Sequence, residues 1–214
     1  MDIVFCVPSF KKDEFIISLG PLILASILEK SNITSKLISY NQTGFFDKDV
    51  ETFVDDYTNL ILADSPKIVS LFLVADITLV QLKIADTLKL KNPEIIIIAG
   101  GPQATTLGKK LFEFCNSLDY ICCGEGESTI TPLCSSLLNN AIDLSIPGLI
   151  YKDNNIIIEN SLPACLQNDY VIPIDIYSHL EQLPENILKD GATFSLDAGR
   201  GCVGQCTFCA VGAI

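Results

Sequence analysis

Four isoleucines in succession, Ile95, Ile96, Ile97 and Ile98, run through Ala99 into Gly100-Gly101-Pro102. A short, uninterrupted β-branched run of this kind suits a strand covered on both faces, and such strands belong to parallel sheets flanked by helices. The preceding sequence keeps the same rhythm. Residues 3–7, 36–40 and 68–74 read as strands. Between them, Leu24, Ile27 and Leu28, then Val50, Phe53, Val54, Tyr57 and Ile61, then Ile77, Val80, Ile84 and Leu88 keep helical spacing. Pro21 suits the first turn of the first helix. A helix over 108–116, a strand over 119–123 and a helix capped by Ser128 and carrying Ile130, Leu133, Leu137 and Leu138 complete the series.

Five strands alternating with five helices predict an α/β fold with a flavodoxin- or Rossmann-like parallel five-stranded sheet in the order 2-1-3-4-5. Ligands of such sheets bind beyond the carboxyl ends of the strands, where neighbouring connections part to opposite faces. That edge would collect the loop 7–20, the segment after Val74, the Gly100-Gly101 turn and the turn Gly124-Glu125-Gly126-Glu127. The expected crevice lies between the first and third strands. After residue 145 the rhythm changes. Residues 149–158 read as a β-hairpin, 162–190 as a linker with three prolines, and 192–196 as a fresh strand. The expected organisation is an α/β domain over 1–145, a hairpin and linker over 146–191, and the start of a second domain over 192–214.

Composition narrows the partners. A net charge of −12, with Arg200 the single arginine, repels a phosphate backbone and argues against nucleic acid. A mean hydropathy of +0.40 comes from short buried runs and not from a membrane span. The N-terminus lacks a basic flank and a small-residue cleavage pattern, so the expected location is the cytoplasm and the expected partners are small-molecule cofactors. Of nine cysteines, Cys6, Cys115, Cys122, Cys123, Cys134 and Cys165 lie among apolar residues and read as buried core. The vicinal pair Cys122-Cys123 ends a strand, so one side chain should enter each face.

Cys202, Cys206 and Cys209 differ in kind. They form C-x3-C-x2-C in a glycine-bearing loop directly after a predicted strand. Thiolates bind iron–sulfur clusters, and three of them on a tight loop can converge on three irons of one cubane, leaving the fourth iron open to a small molecule. Zinc competes for such a site, but structural zinc takes four ligands, and neither Cys165 nor His179 stands at a finger-like spacing.

Residues 192–209, ATFSLDAGRGCVGQCTFC, look like the opening strand and cluster loop of a radical SAM barrel. Arg200-Gly201-Cys202 and the aromatic Phe208 match that pattern. Residues 95–104, IIIIAGGPQA, and 119–129, DYICCGEGEST, resemble the cobalamin-binding-like domain that precedes many such barrels. Gly148-Leu149-Ile150-Tyr151 resembles the joining segment. The chain as a whole is similar to cobalamin-binding-domain radical SAM proteins.

The resemblance implies that Cys202, Cys206 and Cys209 hold a 4Fe–4S cluster whose open iron binds the amino and carboxylate groups of S-adenosylmethionine. Reductive cleavage then gives methionine and a 5′-deoxyadenosyl radical, with the cofactors carrying the hard chemistry. Phe208 would lie near the adenosine, or be a core aromatic; Arg200 would orient the loop or pair with an acidic neighbour. Gly100, Gly101, Pro102, Gly124, Glu125 and Gly126 would flank the corrin and nucleotide tail of cobalamin. Read without the resemblance, the same residues make tight strand-to-helix turns, and Glu125 and Glu127 favour a helix N-terminus.

Two departures weigh against cobalamin as the third cofactor. The loop over residues 8–15, where some relatives carry a cobalt-ligating histidine, has none, and the third strand ends in Ser70-Leu71-Phe72-Leu73-Val74 where a small or hydroxyl residue is expected. Five residues follow Cys209. The sequence alone therefore suggests a radical SAM protein truncated just after the cysteine motif, not catalytic by itself, and partnered by the missing barrel half if the enzyme is split. The competing readings are a stand-alone cobalamin-like binding module with a vestigial cysteine tail and a small iron–sulfur redox protein.

Overall fold

The computed structural model describes residues 1–8, 18–139, 143–162, 204, 206 and 207. The strands β1 (Ile3–Val7), β2 (Ser35–Ser39), β3 (Ile68–Phe72), β4 (Ile96–Gly100), β5 (Tyr120–Cys122), β6 (Leu149–Asp153) and β7 (Ile156–Glu159) form one sheet. Its order is β2-β1-β3-β4-β5-β6-β7. β1 pairs in parallel with β2 on one side and β3 on the other, and the parallel series continues through β4 to β5. The expected order of the first five strands is therefore observed.

Alternate residues of each strand divide between two cores, as the period of two requires. Ile3, Phe5, Val7, Ile68, Ile98 and Cys122 face the helices α1 (Leu19–Lys30) and α6 (Ile130–Leu138). Val4, Cys6, Val69, Leu71, Ile97, Ala99, Ile121 and Cys123 face α2 (Val50–Ala63), α3 (Thr78–Lys91), α4 (Pro102–Leu107) and α5 (Leu111–Phe114). Cys122 and Cys123 thus enter opposite faces, as the sequence suggests. Asp49 caps α2 by accepting from Thr52 N at 2.9 Å.

The hairpin is joined to the sheet instead of standing apart. β6 pairs antiparallel with β5, and β7 with β6, turning five parallel strands into seven mixed ones. Its two-residue turn places Asn154 and Asn155 at φ 48° and 67°, the left-handed pair that tight hairpins require. Leu149 and Ile150 supply one buried residue to each core, which is why the edge of β5 is covered here.

Three local expectations are corrected. Helical structure after β4 begins earlier than expected, at Pro102, and is divided at Gly108, whose φ is 52°; the expected range holds a 3-10 turn, Gly108–Lys110, and α5. Ser128 does not cap α6: Thr129 stands at the cap position without a capping bond, its hydroxyl donating instead to Pro147 O at 3.2 Å, and Ser128 Oγ donates to Glu125 O. On α1, Leu28 is buried but Leu24 and Ile27 are half-exposed, because Leu22, Ile23 and Ala25 take the inward positions. The linker over 162–190, the strand over 192–196, and Cys165, His179 and Arg200 lie outside the described residues, save Leu162.

Five thiols sit inside this core. Burial pushes Cys6 and Cys134 up from 9.0 to about 12 and Cys115 and Cys123 to about 11, and it raises Cys122 further. Above the ordinary value the unfolded chain loses these protons while the folded chain keeps them. Stability is therefore fully present below about pH 9 and falls as pH rises toward 11–12. Urea unfolding at pH 10 should show a loss on the order of 1 kcal/mol per thiol relative to pH 7. A flat profile would mean that these thiols are wet. Tyr57, fully buried, donates its hydroxyl to Ile38 O at 2.5 Å and so ties α2 to β2. Tyr57→Phe should lower stability by about 1 kcal/mol in the same assay.

Candidate functional site

Parallel pairing puts the carboxyl ends of β3, β4 and β5 on one edge, and with them the glycine turns singled out in the sequence. Gly100 ends β4, Gly101 adopts φ 95° and Pro102 opens α4. Gly124 follows β5 with φ 80°, and Gly126 begins a short 3-10 turn, Gly126–Ser128. The two turns are tied together by Thr105. Its Oγ1 accepts from Gly124 N at 2.9 Å and donates to Gly101 O at 3.3 Å. Glu125 and Glu127 are half-buried on the same edge.

The chain after β3 is fixed with equal care. Leu73 N donates to Gly100 O at 2.7 Å, and Gln103 N donates to Leu73 O at 3.2 Å, so β3 stays zipped to the β4 turn beyond the strand ends. Gln81, fully buried on α3, accepts from Val74 N at 3.2 Å and donates through Nε2 to Phe72 O. One amide side chain therefore satisfies two backbone groups that would otherwise be buried without partners.

These bonds present the Phe72 ring to the α1 face of the sheet. A Cβ on Gly101 would lie 2.9 Å from Phe72 Cδ2 and 2.9 Å from Leu73 O, and one on Gly20, in the first turn of α1, would lie 3.3 Å from Phe72 Cε2. The Cδ2–Cε2 edge of the half-buried ring thus lies against both glycines. A Cβ on Gly126 would meet Leu24 of α1 at 3.3 Å, whereas one on Gly100 would meet nothing within 4 Å. Gly101 and Gly126 thus make room for the chain's own side chains, and Gly100 alone of the three faces open space. Sequence reasoning marked Phe72 but missed Gly20, Leu24, Gln81 and Thr105, which carry no motif.

The cysteine trio is described in part. Cys206 is exposed; Cys202, Cys209 and Phe208 lie outside the described residues. Among the described residues no group of three His, Cys, Asp or Glu side chains could hold a metal ion, and no helix is long and apolar enough to cross a membrane. Cys6, Cys115, Cys122, Cys123 and Cys134 are all buried free thiols. A cleft of about 430 Å³ lined by Asn116, Asp119, Tyr120 and Tyr151 opens at the amino end of β5, away from the glycine turns.

No family model matches the chain. A protein of Pyrococcus horikoshii named as an uncharacterized methyltransferase is 29% identical over 156 residues, covering 72% of this chain and 33% of that protein. The chain therefore spans about a third of the length of this curated relative. Among solved structures, the radical S-adenosylmethionine methyltransferase TsrM from Kitasatospora setae, with cobalamin and a 4Fe–4S cluster bound, is similar with a TM-score of 0.61 at 17% identity. The match covers 81% of this chain and 31% of TsrM. The cobalamin-dependent S-adenosylmethionine radical enzyme OxsB, with aqua-cobalamin and S-adenosylmethionine bound, gives a TM-score of 0.60 at 21% identity over 77% of this chain and 22% of its own. At these identities the likeness establishes architecture: the chain has the open, mostly parallel α/β fold that it shares with TsrM and OxsB.

Proposed function

We propose that this chain supplies the α/β domain and the cluster loop of a radical SAM enzyme, with Cys202, Cys206 and Cys209 as the ligands of a 4Fe–4S cluster. The observation that carries the reading is the C-x3-C-x2-C loop following, in one chain, an α/β domain of the fold found in TsrM and OxsB. The donor set fits the group. Three thiolates within eight residues can reach three irons of a cubane. The five described cysteines outside the loop are locked in the core with raised thiol pKa values, so none of them completes a four-thiolate zinc site.

Cys202, Cys206 and Cys209 would hold the cluster, which when bound would supply the electron for reductive cleavage of S-adenosylmethionine. Phe208, next to Cys209 in sequence, would offer its apolar ring to the adenine. The names of the P. horikoshii relative and of TsrM favour methyl transfer as the reaction class.

The α/β domain does not fit cobalamin in the same way. The glycines that would make room for its nucleotide tail are occupied from within, Gly101 by Phe72 and Gly126 by Leu24. The same packing disfavours the alternative of a stand-alone ligand-binding module with a vestigial cysteine tail.

Anaerobic reconstitution with iron and sulfide should load about four irons per chain, with the broad charge-transfer absorption of a cubane. Cys202→Ala, Cys206→Ala and Cys209→Ala should each lose most of that iron. Cys134→Ala, which alters only the core, should retain it. Zinc in place of iron, or loading indifferent to the trio, would refute the assignment.

A further inference from the structure

β1 and β3 are neighbours, yet the helices that follow them, α1 and α3, pack on opposite faces of the sheet. Open α/β sheets bind ligands at such a point, because the two connections part and leave a crevice at the strand ends. In this chain the crevice already has an occupant. Phe72 is the last residue of β3, half-buried, and its ring edge lies against Gly20 at the start of α1 and Gly101 after β4. Its backbone cannot shift easily, since Gln81 grips Phe72 O and Val74 N from the other face. One turn further along α1, Leu24 lies against Gly126 and closes the seam toward β5.

We infer that Phe72 is a built-in plug of the strand-end crevice and excludes cobalamin from the α/β domain, with Leu24 as the second barrier. The glycines at 20 and 101 then serve an internal aromatic ring. A Cβ at Gly101, with φ 95°, would strike both that ring and Leu73 O, and one at Gly20 would press on the ring at 3.3 Å. The domain acts as a scaffold for the residues that follow it, without a corrin of its own. This inference concerns the α/β domain alone. It stands or falls separately from the cluster, because neither the plug nor its test involves Cys202, Cys206 or Cys209.

Two measurements on the full chain test it. In the first, hydroxocobalamin is titrated into the wild-type chain and followed by its absorption spectrum and by retention on gel filtration. The wild type should retain almost none. Phe72→Ser, which empties the crevice and adds a hydroxyl, should bind at least tenfold more tightly, and Phe72→Leu, which keeps it filled, should behave as wild type. Stoichiometric retention by the wild type, or no gain in a folded Phe72→Ser chain, would overturn the plug.

In the second, Gly20→Ala is made in the wild-type and Phe72→Leu backgrounds and thermal unfolding is compared. Because Gly101 already crowds the same Cδ2–Cε2 edge of the ring, the ring has little room to yield to a new methyl group at Gly20. Gly20→Ala should therefore be less favourable in the wild type, by roughly 2–4 °C in midpoint, than beside the smaller leucine. Equal shifts in the two backgrounds would show that the ring does not press on Gly20, and would overturn the inference even if Phe72→Ser fails to fold.

Discussion

Because β1 hydrogen-bonds in parallel to β2 on one side and to β3 on the other, the chain must leave β1 toward one face of the sheet and leave β3 toward the other. Parallel strands also require long crossovers, and those crossovers cover both faces with helices. Every strand end of the parallel series therefore lies on one edge. The turns after β4 and β5 come together there although more than twenty residues separate Gly100 from Gly124. Thr105 links them through one hydroxyl that contacts both turns.

The same edge carries two demands that pull apart. A crevice at the parting of α1 and α3 invites a ligand, while a stable domain gains from filling it. Phe72 and Leu24 are both half-buried, and covering part of such side chains contributes on the order of 1 kcal/mol each, a useful share of the net stability of a domain. Here the second demand prevails: Phe72 and Leu24 fill the seam, and Gly20, Gly101 and Gly126 are the spaces left for them. The cysteines divide along similar lines. Five are core residues with protonated thiols, whereas Cys206 is exposed on the loop where a metal centre would have to assemble.

Much of the fold was legible from spacing alone. The run of isoleucines at 95–98, the period of two that sends Cys122 and Cys123 to opposite faces, and the helical spacing of Phe53, Val54, Tyr57 and Ile61 each found their expected place. Boundaries moved where local chemistry decided: Gly108 splits a helix, and Thr129 displaces Ser128 at the cap of the next. The antiparallel seat of the hairpin was not legible, because strand pairing is a tertiary choice that Leu149 and Ile150 make by burying on both faces. The site was legible only where composition is unusual. A cysteine trio and paired glycines declare themselves; a buried Gln81 gripping β3, or a threonine joining two turns, looks like any polar residue on a helix. The glycines declared room, and the structure identifies what fills it.

Three thiolates on a cubane leave one iron without a protein ligand, and that inequivalence can be read directly. Mössbauer spectroscopy of the full chain, reconstituted anaerobically with enriched iron, should show a single 4Fe–4S cluster. Addition of S-adenosylmethionine should move the signal of one iron toward higher coordination and leave the other three unchanged. A cluster whose four irons all ignore S-adenosylmethionine, or a trio that takes zinc in preference to iron, would contradict the assignment of Cys202, Cys206 and Cys209 to a radical SAM centre.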